Sequence, residues 1–150
     1  MKNIIRSRLT KGLLVVLLAT GAPSLVFGQD QPDFSRTLRQ SGAHQISGYV
    51  TLGLATTVAA LGLFGSDLHP AFGWGVAGTS VVTLALGSLA YRDRLVEIWP
   101  HSLLATLATT GFLMNAFGVF PFGSQEHVIT GITSVGLLYG AYVTILLITM

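Results

Sequence analysis

The stretch HQISGYVTLGLATTVAALGLF, residues 44–64, decides the fold. It is an uncharged run of apolar and small residues, opened by His44 and carrying glycine four positions on, at Gly48. A helix rising about 1.5 Å per residue needs about 20 such residues to cross a ~30 Å hydrocarbon core. Working outward, HPAFGWGVAGTSVVTLALGSLAY at 69–91 repeats the design, and two further apolar runs follow. The runs predict spans over Ile46–Phe64, Pro70–Tyr91, Ser102–Phe120 and Val128–Met150. The connections Gly65–His69, Arg92–His101 and Pro121–His127 are short, and short connections force antiparallel neighbours. The expected fold class is therefore an all-α membrane protein, an up-down four-helix transmembrane bundle. Asp67 and Ser124 are candidate helix caps, and Trp74, Trp99, Tyr49, Tyr91, Tyr139 and Tyr142 mostly fall near span ends, as interfacial aromatics do.

Composition agrees. Of 150 residues, 51% are hydrophobic and only 9% are charged, against roughly 25% charged in a soluble domain. From Gln40 onward the only charges are Asp67, Arg92, Asp93, Arg94, Glu97 and Glu126. The basic pI near 9.3 comes from Lys2, Arg6, Arg8 and Lys11 and not from a basic face, which argues against nucleic acid as a partner. With no cysteine, the chain can form no disulfide, thiolate-bound cluster or covalently attached haem.

Residues 1–28 have the three parts of a signal peptide, a cationic start, an apolar run over Gly12–Ala19 and a small-residue end at Gly28; Pro23 and the shortness of the run favour cleavage over an uncleaved anchor that would add a fifth helix. Removal of its four cations would take the net charge from +2 to −2. Residues 29–43 form a polar periplasmic lead-in, whose later part reads as an interfacial extension of the first span, and 44–150 form the membrane domain. The expected location is the bacterial inner membrane, multi-pass, with the mature N-terminus in the periplasm. That orientation places Arg36, Arg39, Arg92 and Arg94 outside, against the positive-inside tendency, so the four N-terminal cations must set it.

The four histidines carry the chemistry. His44, His69, His101 and His127 each stand at the N-terminal end of one span. Three open H-x-x-x-G, with Gly48, Gly73 and Gly131 four positions on; the fourth has Ala105. His44 to His69 is 25 residues and His101 to His127 is 26, which reads as a duplicated helical hairpin. Because the helices alternate in direction, His44 and His101 share one membrane face and His69 and His127 the other. Two histidines on diagonal helices suit six-coordinate b-type haem, and a small residue one turn away leaves room for a flat macrocycle. Arg36, Arg39, Arg92 and Arg94 fall on the His44/His101 side, where guanidinium groups could meet propionates. Their competing roles are local neutralisation by Asp93 and Glu97 and anchoring of span ends. The glycines inside the spans, Gly62 and Gly87 among them, read as packing positions.

One histidine per helix, paired first with third and second with fourth, resembles the cytochrome b561 family. HQISGYVTLGLATT and HPAFGWGVAGTSVVTLALGSLAY are similar to its helix openings, and the resemblance covers residues 44–150. It implies two b haems, one held by His44 and His101 and the other by His69 and His127, passing single electrons across the membrane. Ala105 and the lack of any lysine after Lys11 depart from the family pattern, so quinol or a redox partner subunit is expected as the exchange partner. The resemblance implies an electron-transfer protein or oxidoreductase subunit, within a possible homo- or hetero-oligomer, and not a stand-alone enzyme. Two other functions compete: a cofactor-free membrane anchor or scaffold, and a metal transporter. Transport is disfavoured because no acid or thiol lies within the spans.

Overall fold

The structure is a computed structural model that describes Thr10 and residues 32–149. The expected signal peptide and the first residues of the lead-in lie outside this described set, Thr10 apart. Over residues 32–149 five helices follow one another: α1 (Pro32–Ser41), α2 (Ala43–Leu63), α3 (His69–Ala90), α4 (Trp99–Ala116) and α5 (Gln125–Thr149), with a 3-10 turn at Arg92–Arg94.

The lead-in departs from expectation. It forms a helix of its own, separated from α2 by Gly42 at φ 66. That left-handed backbone ends α1 at no steric cost for a residue without a Cβ. Ser41 Oγ returns to the Leu38 carbonyl at 2.8 Å, which further closes the turn.

Helices α2, α3 and α5 are long and apolar enough to cross a membrane, the last over Gln125–Ile148. The third of the four expected spans, α4, is not among them, and it is shorter than read. Its apolar tail, Phe117–Phe120, lies beyond α4. Gly118 (φ 62) reverses the chain, with Val119 N bonded to the Met114 carbonyl at 2.9 Å and Gly118 N to the Asn115 carbonyl at 3.1 Å. This paired bonding is the usual glycine stop of a helix. The same closure ends α2 at Gly65. The other expected boundaries agree with the helices to within a turn, the ordinary uncertainty of helix ends. Ser124 does cap α5, its Oγ accepting from His127 N at 3.2 Å. Asp67 does not cap α3; Ser66 Oγ instead accepts from Leu68 N at 3.2 Å.

Packing runs in a ring, α2 on α3, α3 on α4, α4 on α5 and α5 on α2, which leaves α2 opposite α4 and α3 opposite α5. The buried core is built from Ala55, Val76, Ala77, Ala108, Phe112 and Leu113. Small polar residues share that interior: Thr51, Ser80, Thr109 and Ser134 are all buried. Each returns its hydroxyl to a carbonyl of its own helix, so none costs an unmade hydrogen bond. Two more hydroxyl contacts tie helices together, Thr51 to Thr83 at 3.0 Å and Thr56 to Tyr139 at 2.8 Å.

The outside is the apolar part. Ile46, Val50, Val82, Leu103, Ile132 and Leu147 are all exposed. A polar-dotted interior and an aliphatic exterior suit lipid, where helices associate by close packing of small residues. This is a multi-pass membrane protein.

Candidate functional site

Each histidine sits in the first turn or two of its helix and faces a histidine across the ring. The imidazole centroids of His44 (α2) and His101 (α4) stand 6.0 Å apart, and those of His69 (α3) and His127 (α5) stand 5.9 Å apart. These are the two diagonal pairs that the alternation of helix direction predicts. All four residues are half-buried.

Backbone carbonyls orient the rings. His44 Nδ1 lies 3.0 Å from the Thr83 carbonyl oxygen, His69 Nδ1 3.0 Å from that of Val58, and His101 Nδ1 2.8 Å from that of Ala141. A carbonyl can only accept, so in these three rings Nδ1 donates its proton and Nε2 keeps a lone pair. That is the form of histidine that ligates metals, with its second nitrogen anchored.

The arrangement is repetitive. Val58, Thr83 and Ala141 fall fourteen positions after His44, His69 and His127, so histidine and acceptor are exchanged reciprocally within the first hairpin. The fourth such position, after His101, is Asn115. There the bond runs differently: Asn115 Nδ2 donates to the His127 carbonyl at 3.0 Å, while His127 Nδ1 and Asn115 Oδ1 are both buried and unpaired.

Fourteen residues of helix span about 21 Å, so the two histidine pairs lie near opposite ends of the spans.

A cavity of about 250 Å³ opens at the His44/His101 pair. Its walls include the small residues Gly48, Gly87, Ala105, Thr51, Thr109 and Ala141, drawn from four helices, together with larger ones such as Tyr49, Leu84, Tyr91 and Tyr142. Gly48 and Ala105 are thus where the sequence reading puts them, beside the space between the rings. A Cβ at Gly48 would touch only Thr83 Cγ2, at 3.8 Å, and one at Gly73 would meet nothing within 4 Å. Gly131 faces something else, since a Cβ there would reach Asn115 Nδ2 at 3.4 Å. Around the other pair, Phe122 packs on both rings, 5.4 Å from His69 and 5.3 Å from His127.

The arginines are occupied elsewhere or stand away from the cavity wall. Arg39 Nη1 donates to the Ala90 carbonyl at 2.8 Å and to Asp93 Oδ1 at 2.6 Å, so it closes the C-terminal end of α3. A cation there also opposes the negative end of the helix dipole. Arg94 pairs with Glu97 at 2.5 Å. The Arg39 hydrogen bond holds the Asp93 carboxyl below its ordinary range, and the Glu97 hydrogen bond raises the Arg94 guanidinium. Arg36 and Arg92 are exposed, on α1 and in the 3-10 turn.

Sequence reasoning missed two contacts. A Cβ at Gly87 would stand 2.6 Å from His44 Cε1, and one at Gly62 2.9 Å from His69 Cε1. The signal was available in the spacing, because each glycine follows a histidine of the same hairpin by eighteen positions. It also passed over Asn115, a polar residue in an otherwise apolar helix end.

Among the described residues no three histidine, cysteine or acidic side chains converge as a metal-binding group. The chain offers opposed pairs, two donors to a site.

Comparison with protein-family models, with curated proteins and with solved structures finds no match to this chain.

Proposed function

We propose that the chain is a di-haem electron-transfer cytochrome of the membrane, with His44 and His101 holding one b haem and His69 and His127 the other. The observation that carries this reading is the facing of two histidine pairs at 6.0 and 5.9 Å. A metal–imidazole bond is about 2 Å and the ring centre lies ~1.1 Å behind its nitrogen, so two rings sharing one ion stand ~6 Å apart. Two protein donors per site suit an ion whose remaining four positions belong to a planar macrocycle. The short side chains around the cavity supply the space, and the Nδ1–H bonds of His44, His69 and His101 supply the tautomer.

In this reading α2 to α5 form an up-down four-helix transmembrane bundle. The recurring fourteen-residue interval supports its origin as a duplicated hairpin. Bound haem would supply reversible one-electron chemistry at each pair. The protein's own share is to fix the imidazoles, exclude water with an apolar surround, and set the two sites about 21 Å apart across the bilayer. Quinol or a redox partner subunit exchanges the electrons, and the bacterial inner membrane with a periplasmic N-terminus is the proposed setting.

The test is a dithionite-reduced minus air-oxidised visible spectrum of the purified protein, with haem quantified per chain. A sharp α-band at about 560 nm and about two haems per chain are expected for bis-histidine b haem. A folded, colourless protein from haem-replete cells would leave the cofactor-free scaffold in its place.

A further inference from the structure

Three histidines have Nδ1 on a backbone carbonyl of a neighbouring helix; His127 does not. The position that repetition assigns to its acceptor is residue 115, in the last turns of α4, where the helix is already closing through Gly118. Val58, Thr83 and Ala141 serve through their backbone alone. Residue 115 is an asparagine, whose side chain carries a carbonyl of its own.

The side chain is already in place. Asn115 Nδ2 donates to the His127 carbonyl at 3.0 Å, and Gly131, one turn along α5, is open enough to admit the amide. What remains is one buried acceptor, Asn115 Oδ1, and one buried ring nitrogen, His127 Nδ1. They belong to two residues joined by a hydrogen bond, and neither has a hydrogen bond of good geometry, although the Phe120 carbonyl lies near the His127 ring. Buried polar atoms in proteins are almost always satisfied, so two orphans on adjoining side chains point to a bond that a small turn of the ring and amide completes.

We propose that Asn115 is the positioning residue of His127, its Oδ1 accepting a hydrogen bond from Nδ1–H and so leaving Nε2 free for a ligand. The inference rests on reading His127 as a haem ligand. Asn115 then does by side chain what the α2, α3 and α5 backbones do for the other three rings. It keeps His127 in the Nδ1–H tautomer and holds Nε2 toward His69. Ligand-orienting partners of this kind typically contribute about 10–100-fold in affinity.

The experiment pairs two readouts on the full chain in detergent. Hemin is titrated into the haem-free protein, and the histidine tautomers of the same haem-free protein are read by ¹⁵N NMR. In Asn115→Leu, the His69/His127 site should bind hemin about 10–100-fold more weakly, with the His44/His101 site unchanged as an internal check on folding. His127 should lose its preference for Nδ1–H, and Asn115→Asp, which keeps an acceptor, should restore both. If Asn115→Leu also disturbs the first site, Asn115→Ala, which only removes atoms, carries the same expectation. Unchanged affinity at both sites with an unchanged His127 tautomer would overturn the proposal. Wild-type protein that takes up no hemin would overturn the cytochrome reading, and the tautomer comparison would still decide whether Asn115 orients His127.

Discussion

Gly87 presses its α-carbon side against the His44 imidazole so closely that a Cβ there would lie 2.6 Å from Cε1, 2.9 Å from Nδ1 and 3.3 Å from Nε2. The approach lets His44 reach the Thr83 carbonyl one turn earlier on α3. Gly87→Ala must therefore push the ring off its acceptor. The expected outcome is loss of haem from the His44/His101 site, with helix content retained because alanine favours a helix by about 1 kcal/mol over glycine. Gly62→Ala should do the same to the His69/His127 site. Gly78→Ala, mid-helix on α3 and with a Cβ that meets nothing within 4 Å, is the control and should keep both haems. Visible spectra and haem content of the three variants check this.

The pairing itself is tested by single histidine removal. His101→Ala should lower the haem content from about two per chain to about one and leave the second site's reduced spectrum intact. Breakage of both sites, or of neither, would contradict the assignment of partners. His69→Ala should give the complementary half.

Gly111 faces Ser134 at the α4–α5 contact. A Cβ at 111 would overlap Ser134 Oγ and stand 3.3 Å from Thr130 Cγ2. Gly111→Ala is expected to cost about 1–3 kcal/mol through overpacking, seen as a lowered Tm in detergent. Adding Ser134→Ala removes the nearest atom and should recover part of the loss. Both haem sites should survive, because neither residue adjoins a histidine.

A fourth test concerns the strap formed by α1. Arg39 reaches from α1 to Asp93 and to the end of α3. The Arg39 hydrogen bond lowers the Asp93 pKa in the folded protein, so the pair contributes above the ordinary carboxylate value of about 4 and its contribution is lost as pH falls below that value, through the depressed folded pKa. Hydrogen exchange of Pro32–Ser41 should therefore be flat with pH through the neutral range, once corrected for intrinsic rates, and rise only in acid. Asp93→Asn should raise it at neutral pH. High salt should produce a smaller effect in the same direction, because the pair is open to solvent.

Much of the site was legible in the chain. The pairing of His44 with His101 and of His69 with His127 follows from one histidine at the start of each apolar run and from short connections that reverse direction each time. Gly48 and Ala105 were legible for the same reason, since residues four apart share a helix face. What could not be read is how the helices are rotated against one another. The Nδ1 acceptors, the pressure of Gly62 and Gly87 on the rings and the placement of Phe122 all depend on that rotation. Arg39 was readable as a cation near the His44 end, but its bonds to Asp93 and Ala90 depend on α1 folding back across α3.

Composition and periodic placement, then, determined that the chain is helical, membrane-bound and furnished with histidines in facing pairs, because these follow from apolar run length and alternating direction alone. Tertiary structure decided where α4 stops and which nitrogen of three of the rings is held. The apolar residues Phe117–Phe120 could have continued the helix, and only the backbone reversal at Gly118, with its two return hydrogen bonds, ends it. The tautomer of His44, His69 and His101 is set by a carbonyl on another helix, and no reading along a single chain can place that partner.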